Sequence, residues 1–416
     1  MRRAPAVLLA VLALDPALAL AQGSPVGPEF RVNTFTTGNE FGSAVAADAL
    51  GNFVVVWQSS SQDGSLTGIY GQRYSASGTP LGPEFRVNTT TNSNQFAPAV
   101  AGDASGGFVA AWTSQLQDGS NFGIYGQRYA ADGTPAGPEF RVNTATTGSQ
   151  FIPALAAAAT GEFVVAWMGP DGSDYGIFAQ RYSSAGAPIG PEFRVNSYTA
   201  GYQSGPTLGA DAAGNFVVVW GSDGQDGSAY GVFAQRFAGS GAPLGAEFRV
   251  NTHTPADQYG AEVRSDAAFN FVVAWQSYSQ DGSGYGVFGQ RFSASGPALG
   301  GEFRVNTQTV SDQSRPTATV DASGNFVVAW QAAGQDGSGS GVFGQRYDAG
   351  GAPLGGEFRV NTVVLDEQVD PAAAAGGGGD FVVVWSSQGQ DGSSYGVFGQ
   401  RYSPILPVEL MRFGIE

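Results

Sequence analysis

Along this chain the apolar residues come in short runs, each closed by a turn, and the runs return in the same order seven times. In the first full unit, residues 43–49 are small, and Asp48-Ala49-Leu50-Gly51-Asn52 has turn chemistry. Phe53-Val54-Val55-Val56-Trp57 is β-branched and aromatic on both faces, the pattern of a strand buried between two layers. A second turn, Gln62-Asp63-Gly64-Ser65, precedes a predicted strand at 68–74. A third, Gly78-Thr79-Pro80-Leu81-Gly82, precedes a predicted strand at 84–89. In that last segment alternation puts Phe85 and Val87 on one side and Glu84, Arg86 and Asn88 on the other. Four short strands per unit and no helical period predict an all-β fold built of propeller blades.

The period is marked by Trp57, Trp112, Trp167, Trp220, Trp275, Trp330 and Trp385, spaced by 55 residues with one step of 53. A fixed period of this length means one supersecondary unit that cannot bury its apolar faces alone and must pack on the next. The regular part opens with a lone fourth strand, 29–34, and its last unit stops after a third strand, 396–402. Joined, the two ends give a seven-bladed β-propeller over residues 22–403, closed by pairing of the N-terminal strand with the last blade. An open β-solenoid is the rival, but it needs polar caps and has no reason to split a unit between its ends. The same phase makes the small-residue runs 44–48, 99–103, 154–158 and 372–376 innermost, where crowding around a central channel demands small side chains.

Before the repeats lies Met1-Arg2-Arg3, an apolar run at 6–14 and Ala19-Leu20-Ala21. A basic start, an apolar run too short to span a bilayer and a small-x-small site predict a secretory signal peptide over 1–21. The expected location is therefore secreted, extracellular or periplasmic, with cell-surface attachment left open. No later segment is long and apolar enough for a transmembrane helix. With no cysteine, stability must come from packing. The formal charge is −16, which disfavours nucleic acid and anionic lipid as partners.

All nineteen basic residues are arginine, and fourteen fill two slots of the repeat. One slot holds Arg31, Arg86, Arg141, Arg194, Arg249, Arg304 and Arg359. The other holds Arg73, Arg128, Arg181, Arg236, Arg291, Arg346 and Arg401. A residue used seven times in register serves the blade, since a single active site needs it once. Arg73 is expected to pair with Glu84 across strands, as are their equivalents.

The consensus resembles a known type of repeat. Its parts are Glu84-Phe85-Arg86-Val87-Asn88-Thr89, then Gln95-x-x-Pro98, then Asp211-Ala212-Ala213-Gly214-Asn215-Phe216-Val217-Val218-Val219-Trp220. Gln62-Asp63-Gly64-Ser65 and Gly68-Ile69-Tyr70-Gly71-Gln72-Arg73-Tyr74 complete it. This pattern, over residues 27–403, is similar to repeats of large exported bacterial surface proteins. The resemblance implies no catalytic activity and an association with calcium-binding or adhesion modules, which this sequence does not contain. The C-terminal tail, 404–416, carries Leu406-Pro407-Val408-Glu409-Leu410-Met411-Arg412-Phe413, similar to a segment at the ends of some exported bacterial proteins. A strand or linker packed on the rim is preferred to a sorting signal.

Two sets of residues are candidates for chemistry. Asp63, Asp118, Asp171, Asp226, Asp281, Asp336 and Asp391 lie in the second turn of each unit, on the same face of the ring as the connections between blades. Seven carboxylates on one rim are candidate cation-binding loops, with calcium as the one cofactor the pattern admits. A calcium loop, however, draws several oxygen ligands from one segment, and these turns offer one acid and a serine. A turn stabilised by its own aspartate is the simpler account. Asp48, Asp103, Asp211, Asp266 and Asp321 are read as turn-formers too, in a motif similar to the aspartate boxes of sialidase-type propellers.

The second set is where the repeat breaks. His253, the chain's one histidine, precedes Asp257 and Tyr259, while Glu262 and Arg264 interrupt an inner strand that is otherwise small and neutral. This group is the candidate ligand-binding site at a channel mouth, weighed against a salt-bridged irregularity. Asp366, Glu367 and Asp370 form a second irregular loop.

No cysteine nucleophile, histidine pair or lysine is present. The leading expectation is a non-catalytic monomeric scaffold, not an enzyme, for protein or cell-surface interaction and adhesion. The alternative is a module binding surface glycan, calcium-assisted. A glycoside-cleaving enzyme comes third, because that chemistry needs only two carboxylates about 5–10 Å apart.

Overall fold

The computed structural model describes residues 24–404; the predicted signal segment and tail residues 405–416 lie outside the described residues. Seven antiparallel sheets of four strands stand in a ring, and each inner strand touches the inner strands of both neighbouring blades. In blade one the order is Glu40–Ala47, Phe53–Ser60, Thr67–Tyr74 and Phe85–Arg86 from the axis outward. Blade seven takes its outer strand from the start of the chain: Phe30 lies opposite Gly399 and Arg31 opposite Phe398. Backbone bonds from Val32 to Val397 and from Val26 to Arg401, each 2.8 Å, extend this seam.

Blade packing explains why the second strand is apolar on both faces. Val54 and Val56 of blade one pack with Phe108, Ala110, Trp112 and Tyr125 of blade two. Val55 and Trp57, one residue out of phase, pack instead on Val382, Val384 and Val397 of blade seven. Each strand thus serves two inter-blade cores, with the tryptophans fully buried between blades. Phe53 stacks on Tyr74 at 4.9 Å, and the Tyr74 hydroxyl donates to the Val32 carbonyl of blade seven (3.3 Å).

Two sequence expectations are corrected. The outer strand is a two-residue ladder, because the Asn88 side chain replaces backbone: its Oδ1 accepts from the Ile69 N–H (2.7 Å). Asn88 and Val87 are therefore both buried, and the alternation predicted for 84–89 stops at Arg86. Nor do Arg73 and Glu84 pair. The Arg73 guanidinium donates to the carbonyls of Ala131 (2.6 Å) and Asp132, in the turn before the outer strand of blade two. Glu84 reaches the other way, where its Oε2 accepts from the Thr34 N–H (2.6 Å) and hydroxyl (2.9 Å) beyond the outer strand of blade seven. Neighbouring blades lie closer to these two side chains than they lie to each other. The glutamate link recurs in all seven blades, ending with Glu29 on Thr362.

Candidate functional site

The connections between blades and the turns after the second strands share one face of the ring, the connection face. Thr67 forms a bridge with Asn94, and the Gln115 N–H donates to the Asn94 carbonyl at 2.8 Å. The seven aspartates of the second turns do lie here, but each serves its own turn. Asp63 Oδ1 accepts from the Ser65 N–H (3.0 Å), and the other six aspartates accept likewise from the serine two residues on. In blades two, five, six and seven the second oxygen accepts from the buried asparagine of that blade, as Asp281 does from Asn306 (3.1 Å). Among the described residues no three His, Asp or Glu side chains converge on one point that would hold a metal ion. On the far face Asp48 caps its turn by accepting from the N–H groups of Leu50 and Asn52, 2.9 Å each.

The inner strands shape the channel mouth. Each carries a β-bulge whose residue takes a positive φ: Gly42, Ala97, Ile152, Gly205, Gly260, Arg315 and Asp370. In blades two, three, four, six and seven the bulge N–H is held by a side chain of the preceding blade, as where Gln276 Oε1 accepts from the Arg315 N–H (2.9 Å). Behind it lies a cavity of about 230 Å³, lined chiefly by proline, alanine, valine, leucine and threonine. Glu262 and Arg264 are its one charged pair and form an ion pair with each other. Burial pushes the Glu262 carboxyl up, and the Arg264 charge draws it back. A second ion pair joins the bulge residues Arg315 and Asp370 across blades six and seven.

The five candidates around blade five do not form one site. Glu262 and Arg264 line the channel. Asp257 caps the neighbouring blade, its Oδ1 accepting from the Tyr230 N–H (3.2 Å), and His253 is half-buried, its carbonyl accepting from Asn251 Nδ2 (2.6 Å). Tyr259 belongs to a feature not anticipated from the sequence.

That feature is an arc of half-exposed aromatic rings on the connection face of blades three to five. Phe151 meets Tyr175 at 5.1 Å, and Tyr175 meets Tyr202 of the next blade at 5.3 Å. Tyr230 meets Tyr259 at 6.2 Å, Tyr259 meets Tyr285 at 5.7 Å, and Tyr285 meets Tyr278 at 5.1 Å. The Tyr259 and Tyr285 hydroxyls are 3.3 Å apart. Burial raises the phenol pKa of Tyr202, Tyr230 and Tyr285, and neighbouring acids or phenols raise each further, so these hydroxyls stay protonated. A signal existed in the repeat: the first residue of the third strand runs Thr67, Phe122, Tyr175, Tyr230, Tyr285, Ser340, Tyr395.

One buried group also breaks register. Glu40 occupies the slot held by Gln95, Gln150, Gln203, Gln258, Gln313 and Gln368, and is fully buried. Burial pushes its carboxyl to about 7; the Ser59 hydroxyl, donating at 3.2 Å, lowers it, while Asp391 and Glu84 raise it.

No protein-family model matches the chain, and no curated protein matches it significantly. Solved structures match in fold. A protein of unknown function from Dyadobacter fermentans has 9% identity and a TM-score of 0.54, covering 92% of this chain and 99% of its own. A fungal alcohol oxidase of the AA5 family, in complex with copper, has 13% identity and a TM-score of 0.54 (94% and 79% covered). The polysaccharide lyase Uly1 has 9% identity and a TM-score of 0.51, with 94% of each chain covered. Identities this low speak to the propeller fold alone.

Proposed function

We propose that this protein is an exported, non-catalytic recognition propeller that binds its partner through the connection face of blades three to five. The observation that carries the reading is the aromatic arc, a run of half-exposed rings at positions where the repeat is free to vary. Tyrosine offers a large apolar face and a hydroxyl on few rotatable bonds, which suits a recognition surface. Export is supported by the sequence of residues 1–21 and by the resemblance to repeats of exported bacterial surface proteins. The recurrent acids support a role other than catalysis, because each is engaged in a turn or an inter-blade link.

The test compares the secreted protein with a Tyr230→Ala/Tyr259→Ala variant in cell-surface binding and in pull-downs from culture and host-surface extracts. Binding lost in the variant at unchanged melting midpoint supports the reading. Equal binding by both proteins overturns the placement on this face. Hydrolysis of a glycan panel that a single Asp or Glu substitution abolishes overturns the non-catalytic part.

A further inference from the structure

We infer that the occupant of the aromatic arc is an uncharged glycan chain. The inference rests on the binding face proposed above and names its ligand class. A pyranose ring presents an apolar C–H face and a rim of hydroxyls, so its receptor must supply flat apolar surface with hydrogen-bonding groups beside it. The arc supplies both. Its rings come alternately from third strands and inner-strand starts: Tyr175, then Tyr202, Tyr230, Tyr259 and Tyr285. Ring contacts of 5.3–6.2 Å at tilted or perpendicular angles join Tyr175 to Tyr202 and, as a second group, Tyr230 to Tyr259 to Tyr285, so neighbouring faces within each group point in different directions. That geometry suits a chain of linked rings better than one flat ligand.

Charge narrows the class. The charged groups acting on the phenols of Tyr202, Tyr230 and Tyr285 are acids in every case: Asp174, Asp223, Asp257 and Asp312. Asp174, Asp223 and Asp312 are exposed, where carboxylates accept hydrogen bonds from sugar hydroxyls. The same carboxylates, on a chain of formal charge −16, repel uronate, sulfate and phosphate groups. A single-stranded nucleic acid would also stack on such rings, but it needs a positive groove along its backbone. A protein partner fits less well, because protein interfaces deplete aspartate at their centres and enrich arginine. Here acids stand between the rings.

Affinity electrophoresis of the full secreted chain tests this, with hydroxyethylcellulose, xylan, galactomannan and mixed-linkage β-glucan as neutral probes and alginate and heparin as anionic ones. At least one neutral polymer should retard the protein and neither anionic polymer should. Tyr230→Ala and Tyr259→Ala should each weaken that binding about tenfold or more. Tyr259→Phe, which keeps the ring, should weaken it less, and Ser77→Ala on the far face should leave it unchanged. Melting midpoints, measured alongside, exclude loss of fold as the cause. Retardation by anionic polymers, no retardation by any polymer, or neutral binding indifferent to the tyrosines overturns the inference. Capture of a protein that requires the same tyrosines, without neutral-glycan binding, overturns the ligand class and leaves the binding face standing. If the tyrosine variants alter no binding at all, both readings fall.

Discussion

The inter-blade links and the aromatic arc are made by the same repeat, yet one is kept in every blade and the other is not. Glu84 and its six equivalents all hold the connection leaving the preceding blade. Arg73, Arg128, Arg181, Arg236, Arg291 and Arg401 all donate to carbonyls in a turn of the following blade. The rings of the arc, by contrast, give way to Ser340 in blade six and Thr67 in blade one. The difference is one of dependence. A link residue has a partner in another blade, so its loss leaves that partner unsatisfied, whereas a ring at the solvent edge is free to change without cost to the fold. Sevenfold residues therefore report on the ring, and residues that break the sevenfold pattern report on what it binds.

The largest effect should come from the sevenfold set. Trp330→Ala empties a site of zero exposure between two blades and should destabilise by about 3–5 kcal/mol in urea unfolding. Trp220→Ala should cost much the same, since blade four has the same packing. If one tryptophan proved dispensable, the equivalence of the blades would fail at that position.

Next comes Glu40, a break in the pattern inside the core. Its folded pKa, about 7, lies above the ordinary carboxyl value of 4.5, so the folded state holds the proton more tightly than the unfolded state. Stability from this group is fully present below about pH 4.5 and is lost as pH rises towards 7. Glu40→Gln restores the residue used in the other six blades and should stabilise by on the order of 1–3 kcal/mol at pH 8 and by little at pH 4.5. Unfolding of both proteins at the two pH values checks this; a gain confined to pH 4.5 would reverse the sign. The arc residue Tyr230, by comparison, should tolerate Ala with a change of about 1 kcal/mol or less, because its ring is half-exposed.

How far the sequence could be read follows from where each residue's partner lies. Strand grammar, buried tryptophans and turn aspartates were legible because their causes lie within one unit: alternation, β-branching, and an acid two residues from the N–H it caps. The Arg73–Glu84 pair was misplaced because the true partners, Ala131, Asp132 and Thr34, lie one blade away. Around blade five, proximity in sequence put Tyr259 with Glu262. The structure gives them different surroundings: Tyr259, opposite Gln276, meets Tyr230 and Tyr285, while Glu262, opposite Ala274, lines the channel. The arc is not legible within one unit, because its members join only when blades three, four and five stand side by side.

The smallest effect gives the finest test of the links. Arg73→Met and Glu84→Gln should each cost about 1 kcal/mol, and in a double-mutant cycle the two costs should add to within about 0.5 kcal/mol, since the side chains serve different blades. Gly133 behaves differently. It sits at φ 86° in the turn that receives Arg73, and a Cβ there would collide with the Arg73 guanidinium. Gly133→Ala thus carries two costs, left-handed strain and displacement of Arg73. Only the second disappears when Arg73 is already Met. The Ala penalty should therefore be smaller in the Arg73→Met background, by about 0.5–1 kcal/mol. Coupling with Glu84 and additivity with Gly133 would return Arg73 to its own blade; the opposite result fixes it as the hook on the next.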